Sequence, residues 1–332
     1  MEIQILQGDA IKQLQKLDDK SINTCITSPP YWGLRNYNDE EKQLGMEDTP
    51  EEFVDNLVKV FREVKRVLRD DGTVWVNLGD SYLPNKQLGG IPWRVALALQ
   101  QDGWYLRQDI IWHKPNPMPE SVKDRCTKAH EYIFLLSKNV KYYFDNEAIK
   151  EDVKSAEKKS ADLKLFLDEV EEKVYNKKNK RSIWTVTTKP FKGAHFATFP
   201  MDLIEPCVLA GCPEKICVDC GKPYKRVMKQ PKQLEVKRGR RAGTDDRLIG
   251  GVLDKYKREN PPIDLGLQKQ CECETNETKA GKVLDPFAGS GTTGIVAVNN
   301  KRNACLVDLS AEYIDIAKKR IKEQAEVEYE IR

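Results

Sequence analysis

Short apolar runs alternate with helical periodicities along most of this chain. Ile3-Gln4-Ile5-Leu6 alternates as a strand does and ends at Gly8-Asp9; Ile11, Leu14 and Leu17 then recur at three-residue spacing, which predicts a helix. Ser21 to Ile26 reads as a short buried strand, and Pro29 and Pro30 end it abruptly. After a polar loop through Gly45, Thr49-Pro50-Glu51-Glu52 carries a helix start, with Thr at the N-cap, Pro at N1 and Glu at N3. That helix places Phe53, Leu57, Val60, Val64 and Leu68 on one face, and Asp70-Asp71-Gly72 is expected to stop it. Strands are predicted over Thr73–Leu78, Trp104–His113 and Glu131–Ser137, with a helix over Pro92–Gln101. Such alternation predicts a mostly parallel sheet covered by helices on both faces.

Two stretches break the rhythm. Residues 148–181 are highly charged, with helical phases such as Leu163, Leu167 and Val170 as their only order, and read as a helical insertion. A strand over Ser182–Val186 and a helix from Pro200 to about Ala210 return to the core pattern. Residues 215–274 are turn-rich and basic. After Gly281 come a strand (Lys282–Asp285), a glycine loop, a helix to Asn299, a strand (Ala304–Asp308) and a helix capped by Ser310. The expected organisation is therefore 1–147 and 182–214 as one core, 148–181 and 215–274 as insertions, and 275–332 as the remainder of the same sheet.

The 332 residues are 32% charged and 39% hydrophobic, an ordinary composition that can bury a substantial core. The net charge of +3 excludes a polycation, so a nucleic-acid surface would need local clustering. Between Lys215 and Glu259, fourteen Lys and Arg face six acids, a local excess of +8 that includes Lys237-Arg238-Gly239-Arg240-Arg241. There is no apolar run of membrane-spanning length and no secretory leader pattern, so a cytoplasmic protein is expected, with its nine cysteines reduced or metal-bound.

Two stretches carry chemistry. Thr27-Ser28-Pro29-Pro30-Tyr31-Trp32 follows a buried strand and combines a hydroxyl, fixed carbonyls and flat rings, which suit a heterocycle presenting an amino group. Asp285-Pro286-Phe287-Ala288-Gly289-Ser290-Gly291-Thr292-Thr293-Gly294 links a strand to a helix, and Gly289, Gly291 and Gly294 fit the G-x-G-x-x-G pattern, with Asp308 placed as a ribose-binding acid. An NAD-dependent oxidoreductase is one reading of that loop. Against it, only 24 residues follow Asp308, and Asp285 sits where a pyrophosphate would not want a negative charge. An adenosine with a positive centre suits Asp285 better, and S-adenosylmethionine is such a ligand.

Together and in this order, Ser-Pro-Pro-Tyr and Asp-Pro-Phe-Ala-Gly-Ser-Gly-Thr-Thr resemble the permuted β class of S-adenosylmethionine-dependent DNA amino-methyltransferases. The resemblance implies an α/β, Rossmann-like methyltransferase fold, circularly permuted, with the insertions outside the shared core. It assigns Asp285, Phe287, Gly289 and Gly291 to the cofactor, Asp308 to the ribose hydroxyls, Asp9 to the adenine side, and Phe196, Thr198 and Phe199 to the methionine end. Ser28, Pro29, Pro30 and Tyr31 become the catalytic segment, with Ser28 and the Pro29 carbonyl accepting from an exocyclic amine and Tyr31 stacking on a flipped base. Ser at position 28 resembles cytosine-N4 enzymes more than adenine-N6 enzymes, and adenine-N6 methylation is the alternative. Trp112, His113, Lys114, Pro115 and Asn116 are candidates for the target-base side or, equally, a strand end with a Pro loop. Cys25 and Cys207 are expected in the core. Double-stranded DNA is the implied partner, with a homodimer and a cognate restriction nuclease as further candidates.

Cys217-Val218-Asp219-Cys220-Gly221 has the spacing of half a zinc ribbon, and Cys271-Glu272-Cys273 supplies two more thiolates. A structural zinc ion on Cys217, Cys220, Cys271 and Cys273 is expected, with Cys212 as a substitute ligand. The insertion that carries it is expected to grip DNA beside the target base.

Overall fold

The structure, a computed structural model, describes residues 1–33, 43–152, 177–188, 199–229 and 262–331. Nine of the described strands form one sheet. They are β1 (Glu2–Gln7), β2 (Ile22–Thr27), β3 (Leu68–Leu78), β4 (Tyr105–His113), β5 (His130–Ser137), β6 (Ile183–Thr185), β7 (Lys282–Asp285), β8 (Asn303–Asp308) and β9 (Glu330–Ile331). Their spatial order is β9-β1-β8-β7-β2-β3-β5-β4-β6. Within this sheet β5 alone runs against the rest, since it pairs antiparallel with both β3 and β4 while the other neighbours pair parallel.

Strands β7 and β2 lie side by side at the centre, with Val283 opposite Thr24 and Leu284 opposite Cys25, although more than 250 residues separate them. From β7 the chain steps through a helix to β8 on one side, and from β2 through a helix to β3 on the other. The crevice at their carboxyl ends is thus the switch point of the sheet, where open α/β folds bind ligands.

Helices α1 (Ala10–Leu14), α2 (Pro50–Val67) and α3 (Ile91–Gln101) cover one face, with Phe53, Leu57, Phe61 and Val95 in its core. Helices α4 (Met201–Gly211), α5 (Thr292–Asn299) and α6 (Ala311–Gln324) cover the other with Leu203, Ile295 and Ile321. Thr49 caps α2 as expected, its side chain accepting from Glu52 N at 3.2 Å. The end of α2 differs from expectation. Leu68 adopts an extended conformation and opens β3, so strand follows helix with no intervening turn, and Asp70-Asp71-Gly72 lie within the strand. Leu68 is fully buried in either conformation, and its pairing with Ile22 of β2 selects the extended one.

The helical insertion begins as a two-stranded ladder, Glu151–Asp152 against Lys177–Lys178. The helical phases at Leu163, Leu167 and Val170 and the basic run 237–241 lie outside the described residues. Described parts of the second insertion form two small antiparallel ladders, Ile216–Cys217 with Thr278–Lys279, and Lys225–Lys229 with Ile263–Gln268. Among the described residues, no helix is long and apolar enough to cross a membrane.

Helix α4 meets the sheet at Gly211. A Cβ there would lie 2.7 Å from Trp75 Nε1, 2.8 Å from Thr73 Oγ1 and 2.9 Å from Thr24 Oγ1. Helix propensity alone says that Gly211→Ala stabilises by up to about 1 kcal/mol, whereas crowding says that it destabilises by about 1–3 kcal/mol. Crowding is expected to win, seen as a lower urea midpoint with an unchanged m value.

Candidate active site

The two central strands end in residues that bond to one another. Thr27, the last residue of β2, donates its hydroxyl to Asp285 Oδ1 at 2.7 Å, and Thr293 in α5 donates to Asp285 Oδ2 at 2.6 Å. The backbone N–H of Phe287 adds a third bond to Oδ1 at 3.1 Å. Asp285 is only 1% exposed, and burial pushes its carboxyl up to about 6 against the lowering effect of these donors. It therefore ties β2, β7 and α5 together from the inside.

Beyond Asp285 the chain turns sharply. Gly289 and Gly291 take φ values of 50° and 78°, and a Cβ on Gly291 would lie 2.9 Å from that of Ala317. Asp308, at the end of β8, accepts from Gly289 N at 2.7 Å and from Ser310 N at 2.9 Å. Its own carbonyl accepts from Gly8 N at 2.8 Å, which brings Asp9, the cap of α1, to the same edge. Arg320 of α6 reaches back and donates to Ser290 O at 2.8 Å and Thr292 Oγ1 at 3.0 Å, bracing the glycine loop. Asp9, Asp285, Phe287, Gly289, Gly291 and Asp308 thus gather at the carboxyl ends of β1, β8 and β7. Phe199, beside the start of α4, is partly buried against the core of that face. Phe196 and Thr198 lie outside the described residues.

Ser28, Pro29, Pro30 and Tyr31 leave β2 next to this loop. Tyr31 does not stand free. Its hydroxyl donates to Glu131 Oε2 at 2.7 Å and accepts from Asn77 Nδ2 at 2.7 Å. Asn77 Nδ2 also donates to Glu131 Oε2 at 2.7 Å, and Lys114 forms an ion pair with the other Glu131 oxygen. Ser28 Oγ donates to Tyr31 Oη at 3.4 Å. Burial first, and then the Glu131 charge, hold the Tyr31 phenol well above its usual range, so it stays a neutral donor. The ring lies against Gly79, where a Cβ would meet Tyr31 Cε2 at 2.6 Å.

The remaining candidates divide. Lys114 pairs with Glu131 beside Tyr31. Trp112 is 3% exposed and donates to Val186 O at 2.8 Å, which makes it core. His113 meets Thr185 across the sheet at 3.2 Å, and Asn116 bonds the Thr188 backbone, so both join structural elements. Cys25 and Cys207 are buried as expected. Asn77 and Glu131 are not singled out by the sequence. The available signal is an Asn inside Val74-Trp75-Val76-Asn77-Leu78, a polar side chain at a buried strand position that needs a partner.

The sulfurs of Cys217, Cys220, Cys271 and Cys273 all lie within 4.8 Å of one another. A tetrahedral zinc site needs sulfurs about 3.8 Å apart, given Zn–S bonds of about 2.3 Å, so this donor set fits that ion. Gly221 supplies the knuckle's left-handed turn at φ 66°, and its N–H donates to Cys217 O at 2.9 Å. Backbone donors at Cys220 and Asp219 bring the Cys217 thiol down to about 7, whereas hydrogen bonding to Cys220 and burial push Cys273 up to about 12. Cys212 is not in the cluster; it is fully buried near Pro213 O.

The cluster's attachment to the sheet can be traced. Residues flanking the knuckle attach where the parallel strands begin: Gly281 N donates to Pro213 O at 3.1 Å, Lys282 N to Asn23 Oδ1 at 2.9 Å, and Arg302 to Cys212 O at 3.1 Å. Ser28, Asp285 and Asp308 stand where those strands finish. The four residues of β7 span about 13 Å between those two ends.

Comparison with known proteins agrees with this geometry. The sequence profile of a family described as DNA methylase matches residues 22–220 and 272–319. The type II methyltransferase M.Cfr9I of Citrobacter freundii is 38% identical over 347 residues, covering 96% of this chain and 87% of the relative. M.SmaI of Serratia marcescens is likewise 38% identical, over 96% of this chain and 90% of its own length. Among solved structures, PvuII DNA methyltransferase (cytosine-N4-specific) shares 16% identity with a TM-score of 0.59, covering 100% of this chain and 95% of that one. A putative DNA modification methylase of Thermus thermophilus, solved with S-adenosyl-L-methionine, shares 21% identity with a TM-score of 0.54 and 100% coverage of both chains. These two likenesses concern the fold.

The raised carboxyl of Asp285 has a signed consequence. A carboxyl held at about 6 when folded, against 3.8 in the unfolded chain, favours folding below pH 4, and that contribution is lost as pH rises through 6. Two units correspond to about 3 kcal/mol. Asp285→Asn is expected to lose this fall, so the stability gap between the variant and the parent, measured by urea unfolding, should change between pH 4 and pH 7.

Proposed function

The chain belongs to the DNA methylase family of the N6/N4 type, and from that premise we propose that it methylates the exocyclic N4 of cytosine in duplex DNA. The adjacency of the Ser28-Pro29-Pro30-Tyr31 segment to the glycine loop, joined by the bond from Thr27 to Asp285, is the observation that carries this reading. Family membership removes the oxidoreductase alternative for the glycine loop. S-adenosylmethionine is the family's cofactor and supplies the methyl group when bound. Gly289 and Gly291 would form its cradle, because a loop with those two φ values leaves backbone in place of side chains at the crevice. Phe287, Asp308 and Asp9 would line it, with Phe196, Thr198 and Phe199 toward the methionine end. Asp285, buried and fully engaged, would act by holding the loop's shape.

On the base side, an exocyclic amine conjugated with its ring is a poor nucleophile until acceptors draw on its hydrogens. Ser28 Oγ and the Pro29 carbonyl are those acceptors. Tyr31 offers its ring to the base, which must leave the duplex to reach this crevice. No cysteine nucleophile is needed, and the buried Cys25 and Cys207 thiols, pushed up by desolvation, belong to the core. DNA would approach the edge formed by the loop between β4 and β5, a stretch that carries Lys114, Lys123, Arg125 and Lys128. Ser at position 28 favours cytosine over adenine. The cysteine cluster would hold a structural zinc ion that closes the base of the second insertion, with no open position for chemistry.

Incubation with labelled S-adenosylmethionine and plasmid DNA, followed by digestion to nucleosides, is expected to yield N4-methylcytosine; N6-methyladenine would assign the alternative base. Ser28→Ala and Tyr31→Ala are each expected to lower kcat by about 10²-fold or more, with cofactor affinity unchanged by calorimetry. Metal analysis is expected to find about one zinc per chain, and Cys271→Ser to release it and lower Tm.

A further inference from the structure

The bonds around Tyr31 have a direction, and it bears on what Ser28 can offer. Glu131 is 14% exposed at its side chain and takes part in an ion pair with Lys114, which is 19% exposed. A carboxylate accepts hydrogen bonds and gives none. Asn77, 3% exposed, must therefore face it with the amide nitrogen, and that same nitrogen points at Tyr31 Oη. The phenol has one proton, and it goes to Glu131 Oε2 at 2.7 Å. With that proton committed, Tyr31 Oη can only accept from its other neighbours, Asn77 and Ser28. The Ser28 proton is thus drawn toward Tyr31 Oη, and the Ser28 lone pairs are left facing away from it.

We propose that Glu131 is a positioning residue whose charge, relayed through the Tyr31 hydroxyl, turns Ser28 into a hydrogen-bond acceptor for the amine of the target base. This rests on the reading of Ser28 as the amine's acceptor. A hydroxyl is ambivalent, able to give or to take, and activation of an amine needs only the second. Lys114, from the end of β4, and Asn77, from β3, complete the device by holding the carboxylate in place. The neutral state of the phenol, favoured by burial, keeps its proton available for the bond to Glu131.

The geometry separates this role from simple packing. In Glu131→Gln a side-chain amide can donate to Tyr31 Oη, which frees the phenol proton to point at Ser28 and lets Ser28 present its own proton to the amine. Methyl transfer to plasmid DNA under saturating cofactor is expected to show kcat lowered by about 10²-fold, with KM for DNA and calorimetric affinity for S-adenosylmethionine within about twofold of the parent. Tyr31→Phe keeps the ring and removes the relay, so a similar loss is expected. The double variant is expected to be no slower than Tyr31→Phe, because Glu131 acts only through the phenol. Glu131→Asp, which keeps the charge, is expected to recover part of the rate. Additive losses in the double variant, or a kcat for Tyr31→Phe within about threefold of the parent, would overturn the proposal. If Glu131→Gln fails to fold, the Tyr31→Phe result alone decides. A parent protein that methylates no DNA would overturn the functional reading and this inference with it, whereas an active parent with an unaffected Tyr31→Phe variant would sink this inference alone.

Discussion

The bond between Thr27 and Asp285 is the contact on which the rest of the molecule depends. It joins the last residue of β2 to the last residue of β7, two strands from opposite ends of the chain. Bringing such distant segments together costs loop-closure entropy, which grows only slowly with length. Apolar burial on both faces of the sheet offsets that cost, and the buried carboxylate then fixes the register at the carboxyl end. Three donors satisfy Asp285, so its burial is tolerated even though its carboxyl is pushed up. One crevice results, with the glycine loop on one wall and Ser28 on the other.

The two ends of the sheet carry different sets of groups. At the carboxyl end stand the glycine loop, Asp308, Ser28 and the polar network of Tyr31, Asn77, Glu131 and Lys114. At the other end the second insertion is fastened by Gly281, Arg302 and Asn23. Arg226 in the insertion also bonds the buried Asp145 at 3.4 Å. The cysteine cluster therefore closes the base of a long excursion just before the chain feeds β7 into the centre of the sheet. An ion held there, as proposed, would reduce the freedom of a segment that must return to a defined place, which is a structural task.

The antiparallel strand β5 has a role beyond joining β3 to β4. Because it runs opposite to its neighbours, its first residues lie where the parallel strands finish, and Glu131 arrives beside Tyr31 and Asn77. A parallel strand at that position would have begun at the far end and delivered its C-terminal residues instead.

Local sequence was enough for the elements and for the two motifs. Alternating apolar runs, the Thr49 cap, the proline pair after β2 and the glycine loop all act over a few residues, so their signals survive without tertiary context. Buried Cys25 and the close approach of four cysteine sulfurs follow the same logic of periodicity and spacing. The helix end at Val67 escapes periodicity because Leu68 satisfies an amphipathic helix and a buried strand equally well. Asn77 and Glu131 escape notice because neither belongs to a local pattern: 54 residues separate them, and only strand pairing through β3 and β5 makes them partners. The direction of the knuckle was beyond sequence for a related reason. Spacing says which thiolates can share an ion, but which end of the sheet they occupy depends on where α4 stops and β7 begins. The chain by itself determined the chemistry on offer; the three-dimensional pairing of distant strands decided which groups meet, because hydrogen bonds between side chains act over about 3 Å and the sequence holds no such distance.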